Sequence, residues 1–133
     1  MLTKALEMRS RMEQSTKAEE ELEERVELSM LYDFYGALLK ENQQRMFEAS
    51  VLEDYNYAEI AEEEGITRQG AYDAIKRASK QLRSYEEKLG LVARFEEQKN
   101  LIKELKIELQ KKMPLDEGSW KKISQILNRV LEE

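Results

Sequence analysis

The 133-residue chain has no cysteine, no histidine, one proline and five glycines. Without Cys and His it can build no zinc finger, no Cys-liganded cluster and no disulfide scaffold. Ser-His-Asp and Cys-His catalysis are excluded for the same reason, and a metal would have to sit on carboxylates alone. There is no glycine-rich phosphate loop. Long apolar runs are also missing: the longest are two or three residues, as in Leu91-Val92-Ala93, so no segment can span a bilayer. No apolar stretch follows the opening Met1-Leu2-Thr3-Lys4, so no signal peptide is read there and a cytoplasmic location is expected. So few helix breakers, in a chain that is 38 % charged and 41 % hydrophobic, predict an all-α protein.

The net charge of −6 hides an asymmetry. Residues 1–64 carry 7 basic and 17 acidic side chains, and residues 65–133 carry 15 basic and 11 acidic. Three regions are expected. Residues 1–25 form a polar helical extension of modest stability, with the acidic run Glu19-Glu20-Glu21-Leu22-Glu23-Glu24 at its end. Residues 26–88 form the main domain. Its first helix carries Val26, Met30, Tyr32, Phe34, Tyr35, Leu38 and Leu39 as a buried stripe ending near Lys40. A second helix is expected from about Gln43 to Leu52, then a turn at Glu53-Asp54-Tyr55-Asn56. The aromatics Tyr32, Phe34 and Tyr35 are read as core rather than as a base-stacking platform.

Residues 89–133 are expected to pack or oligomerise as a long helix and a short terminal one. Leu91, Phe95, Ile102, Leu105 and Leu109 follow a heptad-like pattern interrupted at Gln98 and Lys112, which favours a partner contact and a homodimer. Met113-Pro114 should stop this helix. Asp116-Glu117-Gly118 is read as a loop, and Ser119 as the cap of a last helix with Trp120, Ile123, Leu127, Val130 and Leu131 on one face.

The segment that carries chemistry runs from Tyr57 to Arg77 and reads helix, tight turn, helix. Gly65 suits the left-handed end of the first helix, and Thr67 suits the N-cap of the second. Ala71, Ile75, Ala78 and Leu82, spaced four, three and four apart, form one narrow buried face. This is a helix-turn-helix pattern, in which the second helix enters the major groove. The presumed contact residues are Thr67, Arg68, Gln69, Tyr72, Asp73, Lys76, Arg77 and Lys80. Arg and Gln suit bidentate contacts to guanine and adenine, while Lys76, Arg77, Lys80 and Arg83 suit phosphates. Against this stand Glu59, Glu62, Glu63 and Glu64 on the first helix, which would weaken docking unless they point away. A purely structural or protein-binding role for the motif stays open. Duplex DNA or RNA is the expected partner, with no catalytic residue, metal or cofactor.

The ordered blocks Leu31-Tyr32-Asp33-Phe34-Tyr35-Gly36-Ala37-Leu38-Leu39, Glu53-Asp54-Tyr55, Glu59-Ile60-Ala61, Thr67-Arg68-Gln69, Tyr72 to Arg77 and Tyr85-Glu86-Glu87-Lys88-Leu89 resemble the YlxM-like family of small bacterial helix-turn-helix proteins. The motif alone is also similar to region 4 of bacterial sigma factors. The resemblance covers about residues 26–110. It implies a cytoplasmic, DNA-binding regulatory or accessory protein of the signal recognition particle pathway, with components of that particle as further partners. Gly70 stands where the family pattern carries Ala, at a cost of about 0.5–1 kcal/mol in helix propensity.

Overall fold

The computed structural model describes residues 2–112 and 116–132, which form two compact units divided between Leu89 and Gly90. The first unit contains α1 (Leu2–Tyr35), α2 (Glu41–Phe47), α3 (Tyr57–Glu64) and α4 (Arg68–Leu89). The second contains α5 (Leu91–Lys112) and α6 (Glu117–Glu132). The described residues contain helices and no strand, so the chain is all-α as expected.

The first helix differs from the expected one in length and in facing. It is continuous from Leu2, so the polar extension and the first domain helix are one element. Residues 2–24 are exposed throughout. Its buried residues are Leu28, Leu31 and Tyr35, whereas Val26, Phe34 and Leu38, assigned to the core from sequence, are exposed. Both stripes fit helical spacing, and packing against α4 selects the one that buries Leu28 and Leu31. The helix ends at Tyr35 rather than near Lys40 because Gly36 turns the chain into a short 3₁₀ segment, Gly36–Leu38. Gly36 is required by close approach: a Cβ there would lie 2.8 Å from the Tyr32 ring. Gln44 closes this end, its amide donating to the Gly36 and Leu39 carbonyls at 2.9 and 3.0 Å.

After α2 the chain runs through a π-helical turn, Glu48–Leu52, so the second expected helix is present with its last turn widened. The wide turn leaves carbonyls to satisfy. Arg25 of α1 donates to the Val51 and Ser50 carbonyls at 3.0 and 3.4 Å and to Asp54 at 2.8 Å. Asp54 adopts a left-handed φ of 62°, which Asp tolerates better than most residues. Tyr32 stacks on buried Phe47 with ring centroids 4.9 Å apart and donates its hydroxyl to Glu48. Burial, and then the neighbouring Glu48 carboxylate, push this phenol up to about 12. Tyr32 and Tyr35 are therefore packing residues, Tyr35 being 1 % exposed.

In the second unit α5 and α6 pack as a helical pair. Ile102 and Leu109 of α5 and Trp120, Ile123, Leu127 and Leu131 of α6 are half-buried, while Leu105 and Val130 stay exposed. Lys106 bridges to Asn128 at 2.9 Å. The cap of α6 is Asp116 rather than Ser119: the Asp116 carboxylate accepts the Ser119 N–H at 2.7 Å, and Glu117 and Gly118 lie inside the helix. Hydrogen bonds from Ser119 hold the Asp116 carboxyl below its ordinary range. The expected stop at Met113-Pro114 falls outside the described residues.

Candidate nucleic-acid interface

The helix pair α3–α4 is built as its sequence dictates. Asn56 caps α3 by accepting the Glu59 N–H at 2.9 Å. Gly65 ends the helix at φ 67°, and the Ile66 N–H returns to the Ala61 carbonyl at 3.0 Å. Thr67 then caps α4, its hydroxyl accepting the Gly70 N–H at 3.0 Å. Ile60, Ala61, Ala71 and Ile75 join Met46 and Ala49 in one cluster of buried residues. Ala71 is fully buried, which places a methyl where the two helices cross and keeps them close. Further along α4, Ala78, Ser79 and Leu82 are buried, with the Ser79 hydroxyl donating to the Ile75 carbonyl at 3.0 Å.

Burying that face turns the opposite one outward. Arg68, Gln69, Asp73, Lys76, Arg77 and Lys80 are exposed along α4, with Tyr72 half-buried beside them. Arg68, Arg77 and Lys80 form no ion pair among the described residues. Gln69 donates to Asp73 at 3.0 Å, one turn on, so its amide is already oriented and would have to release that carboxylate to read a base. Lys76 donates to the Tyr72 hydroxyl at 2.7 Å and sits 5.1 Å from the ring centroid, a cation–π contact. The Tyr72 hydrogen bond holds the ammonium above its ordinary range, so Lys76 is charged at neutral pH. Tyr72 in turn meets Tyr57 edge-on at 5.2 Å.

Two details were not legible in the pattern. Arg83, read from sequence as a phosphate ligand, pairs with Glu24 at 3.1 Å and Glu27 at 3.6 Å on α1, so its charge is partly matched inside the protein. Glu64 is matched too, by Arg45 of α2 through bonds of 3.2 and 3.1 Å, leaving Glu59, Glu62 and Glu63 as the exposed carboxylates of α3. An ion pair between elements depends on where helices cross, and side-chain spacing within one helix does not report that. Between α1 and α4 runs an open groove of about 540 Å³ where Glu21 and Glu24 face Tyr72, Lys76 and Arg83. Among the described residues no group of three or more acidic side chains is placed to hold a metal ion.

A tight α3–α4 pair with a buried alanine crossing, a glycine-ended first helix and a basic outward face on the second defines a helix-turn-helix protein. Residues 22–124 match the model of the UPF0122 family, described as "Putative helix-turn-helix protein, YlxM / p13 like". A UPF0122 protein of Thermoanaerobacter sp. strain X514 is 43 % identical over 107 residues, covering 79 % of this chain and 92 % of that protein. One from Clostridium perfringens strain 13 is 44 % identical over 110 residues, covering 83 % and 98 %. One from Listeria welshimeri is 40 % identical over 101 residues, covering 76 % and 92 %. The chain belongs to this YlxM/p13-like helix-turn-helix family, as its ordered sequence blocks indicated. No described helix is long and apolar enough to cross a membrane.

Proposed function

We propose that the chain is a non-catalytic regulatory or accessory protein that binds nucleic acid, duplex DNA first, through the exposed face of α4. The observation that carries this reading is the row Arg68, Lys76, Arg77 and Lys80 on the solvent side of the second helix of the motif. Arg68 and Gln69 stand at the N-terminal end of that helix, where a major-groove reader contacts base edges. The later basic residues neutralise phosphates and release counterions. Membership in the family supports a cytoplasmic role. The link to the signal recognition particle pathway rests on the family resemblance alone, and on this reading the protein acts as a homodimer.

A second reading, a protein-interaction module that engages components of the signal recognition particle, is favoured by one observation. Glu59, Glu62 and Glu63 put an exposed acidic face on the other helix of the motif. Fluorescence anisotropy with random duplex DNA at low and at physiological salt separates the two. Binding that is tight at low salt and falls steeply with salt is the expected result. Replacing Arg68, Lys76 and Arg77 with Ala should weaken it and lower the salt slope by about 1 for each phosphate no longer neutralised. Equal binding by the triple variant sinks the assignment to α4, and no binding at any salt leaves the protein-interaction reading.

A further inference from the structure

The first twenty residues of α1 bury no face in their own unit. Residues 2–24 are exposed, and the family match begins only at residue 22. A lone helix in water gains little from propensity alone and is held mainly by packing of an apolar face. This helix has such a face. Ala5, Met8, Met12, Ser15, Glu19, Leu22 and Val26 are spaced alternately three and four residues apart, the a and d positions of a heptad. Met8, Met12, Leu22 and Val26 on it are 57, 69, 63 and 58 % exposed.

The charges on the same helix are segregated. Residues 2–17 carry four basic and two acidic side chains, while residues 18–27 carry six acidic and one basic. A parallel partner of the same sequence would set the glutamate run against itself. An antiparallel one sets the basic half against the acidic half, and like charges opposite each other are what such pairings avoid.

We propose that α1 pairs with α1 of a second copy of this chain as an antiparallel coiled coil centred near Lys17. In that register Met8 of one copy lies opposite Val26 of the other, and Met12 opposite Leu22, each layer occurring twice about the two-fold axis. Arg9 approaches Glu23 across the edge of the seam. The central layers join Ser15 to Glu19, and polar groups at the seam select one register at a cost in stability. The arrangement is isologous, so it closes at two copies. It rests on the homodimer proposed above and places its interface, with an orientation, on α1 rather than on the α5 stripe from which that dimer was first expected.

The test uses the full chain, whose freedom from cysteine allows single-site cross-linking. Sedimentation should give the mass of two chains, and the double variant M12D/L22D, altered only at exposed positions, should weaken association at least about tenfold while hydrogen-exchange protection in the middle of α4 stays unchanged. Ala18→Cys, beside the two-fold axis, should cross-link rapidly with a short bismaleimide, and Ala5→Cys, far from it, should not. A monomer overturns both this proposal and the dimer. A dimer that survives M12D/L22D overturns the α1 interface and leaves the dimer. Equal cross-linking at both cysteines overturns the antiparallel orientation. Duplex binding, measured on the same samples, is read separately.

Discussion

At the scale of single residues, the turn between α3 and α4 shows how one side chain sets the worth of another. Gly70 costs helix propensity relative to Ala, so sequence alone recommends Gly70→Ala. In the structure a Cβ at position 70 would stand 3.0 Å from the Thr67 hydroxyl that caps α4. The gain from propensity, about 0.5–1 kcal/mol, is therefore offset by displacement of the cap, which is itself worth about 1 kcal/mol. Gly70→Ala should change stability by less than its propensity gain in the native background. It should show that gain in full beside Thr67→Ala, where the hydroxyl is gone. Urea unfolding of the four proteins of this double-mutant cycle measures the coupling, and strict additivity would refute it. The caps Gly65 and Thr67 were legible because each acts within a few residues of its own position, whereas Asn56, read only as part of a turn, proved to be the cap of α3.

At the scale of elements, α1 and α4 determine each other's electrostatics. Arg83 carries a charge that α4 could offer to a phosphate, and α1 answers it with Glu24 and Glu27. Side chains this exposed add little to stability when paired, so the pairing matters more for the field around the exposed basic face of α4. Replacing Glu24 and Glu27 by Gln frees Arg83 and removes two negative charges, one of them beside the groove that Lys76 lines. Duplex affinity at low salt should rise severalfold and its salt dependence steepen by up to about one neutralised phosphate, while the melting temperature stays nearly the same. If anisotropy shows no tighter binding, the C-terminal part of α4 does not approach the duplex. Sequence periodicity found the buried face of α4 because Ala71, Ile75, Ala78 and Leu82 leave no competing stripe. At α1 it found Tyr35 and, beyond the helix, Leu39, but not Leu28 and Leu31, because that helix has more apolar residues than one face can bury and only the position of α4 decides between Leu28 with Leu31 and Val26 with Phe34.

At the scale of the whole molecule, stability is unevenly divided. The first unit contains every fully buried large side chain among the described residues, namely Tyr35, Phe47, Ile60 and Leu82. In α5 and α6 no described residue is buried. Local opening is governed by how much apolar surface each region buries. Amides in the middle of α4 should therefore exchange with solvent more slowly than those of α5 and α6 by at least about tenfold, as followed by hydrogen-exchange mass spectrometry on the intact chain. Comparable protection in both units would show that the helix pair is stabilised by something beyond its own α5–α6 packing. The half-buried seam of α5 also explains why its heptad pattern pointed to a partner: α6 covers part of that face, and Leu105 remains outside.

The sequence by itself determined the all-α class, the helix-turn-helix with its caps and crossing alanines, and the basic outward face of α4. These follow from backbone propensity, local hydrogen bonds and a single periodic stripe, all of which act over a few residues. Tertiary structure decided the unbroken reach of α1, its choice of buried face, the Arg25 and Gln44 caps on neighbouring turns and the pairing of Arg83 and Glu64. Most of these join residues far apart in the chain, and such pairings exist only once packing has set where the helices cross.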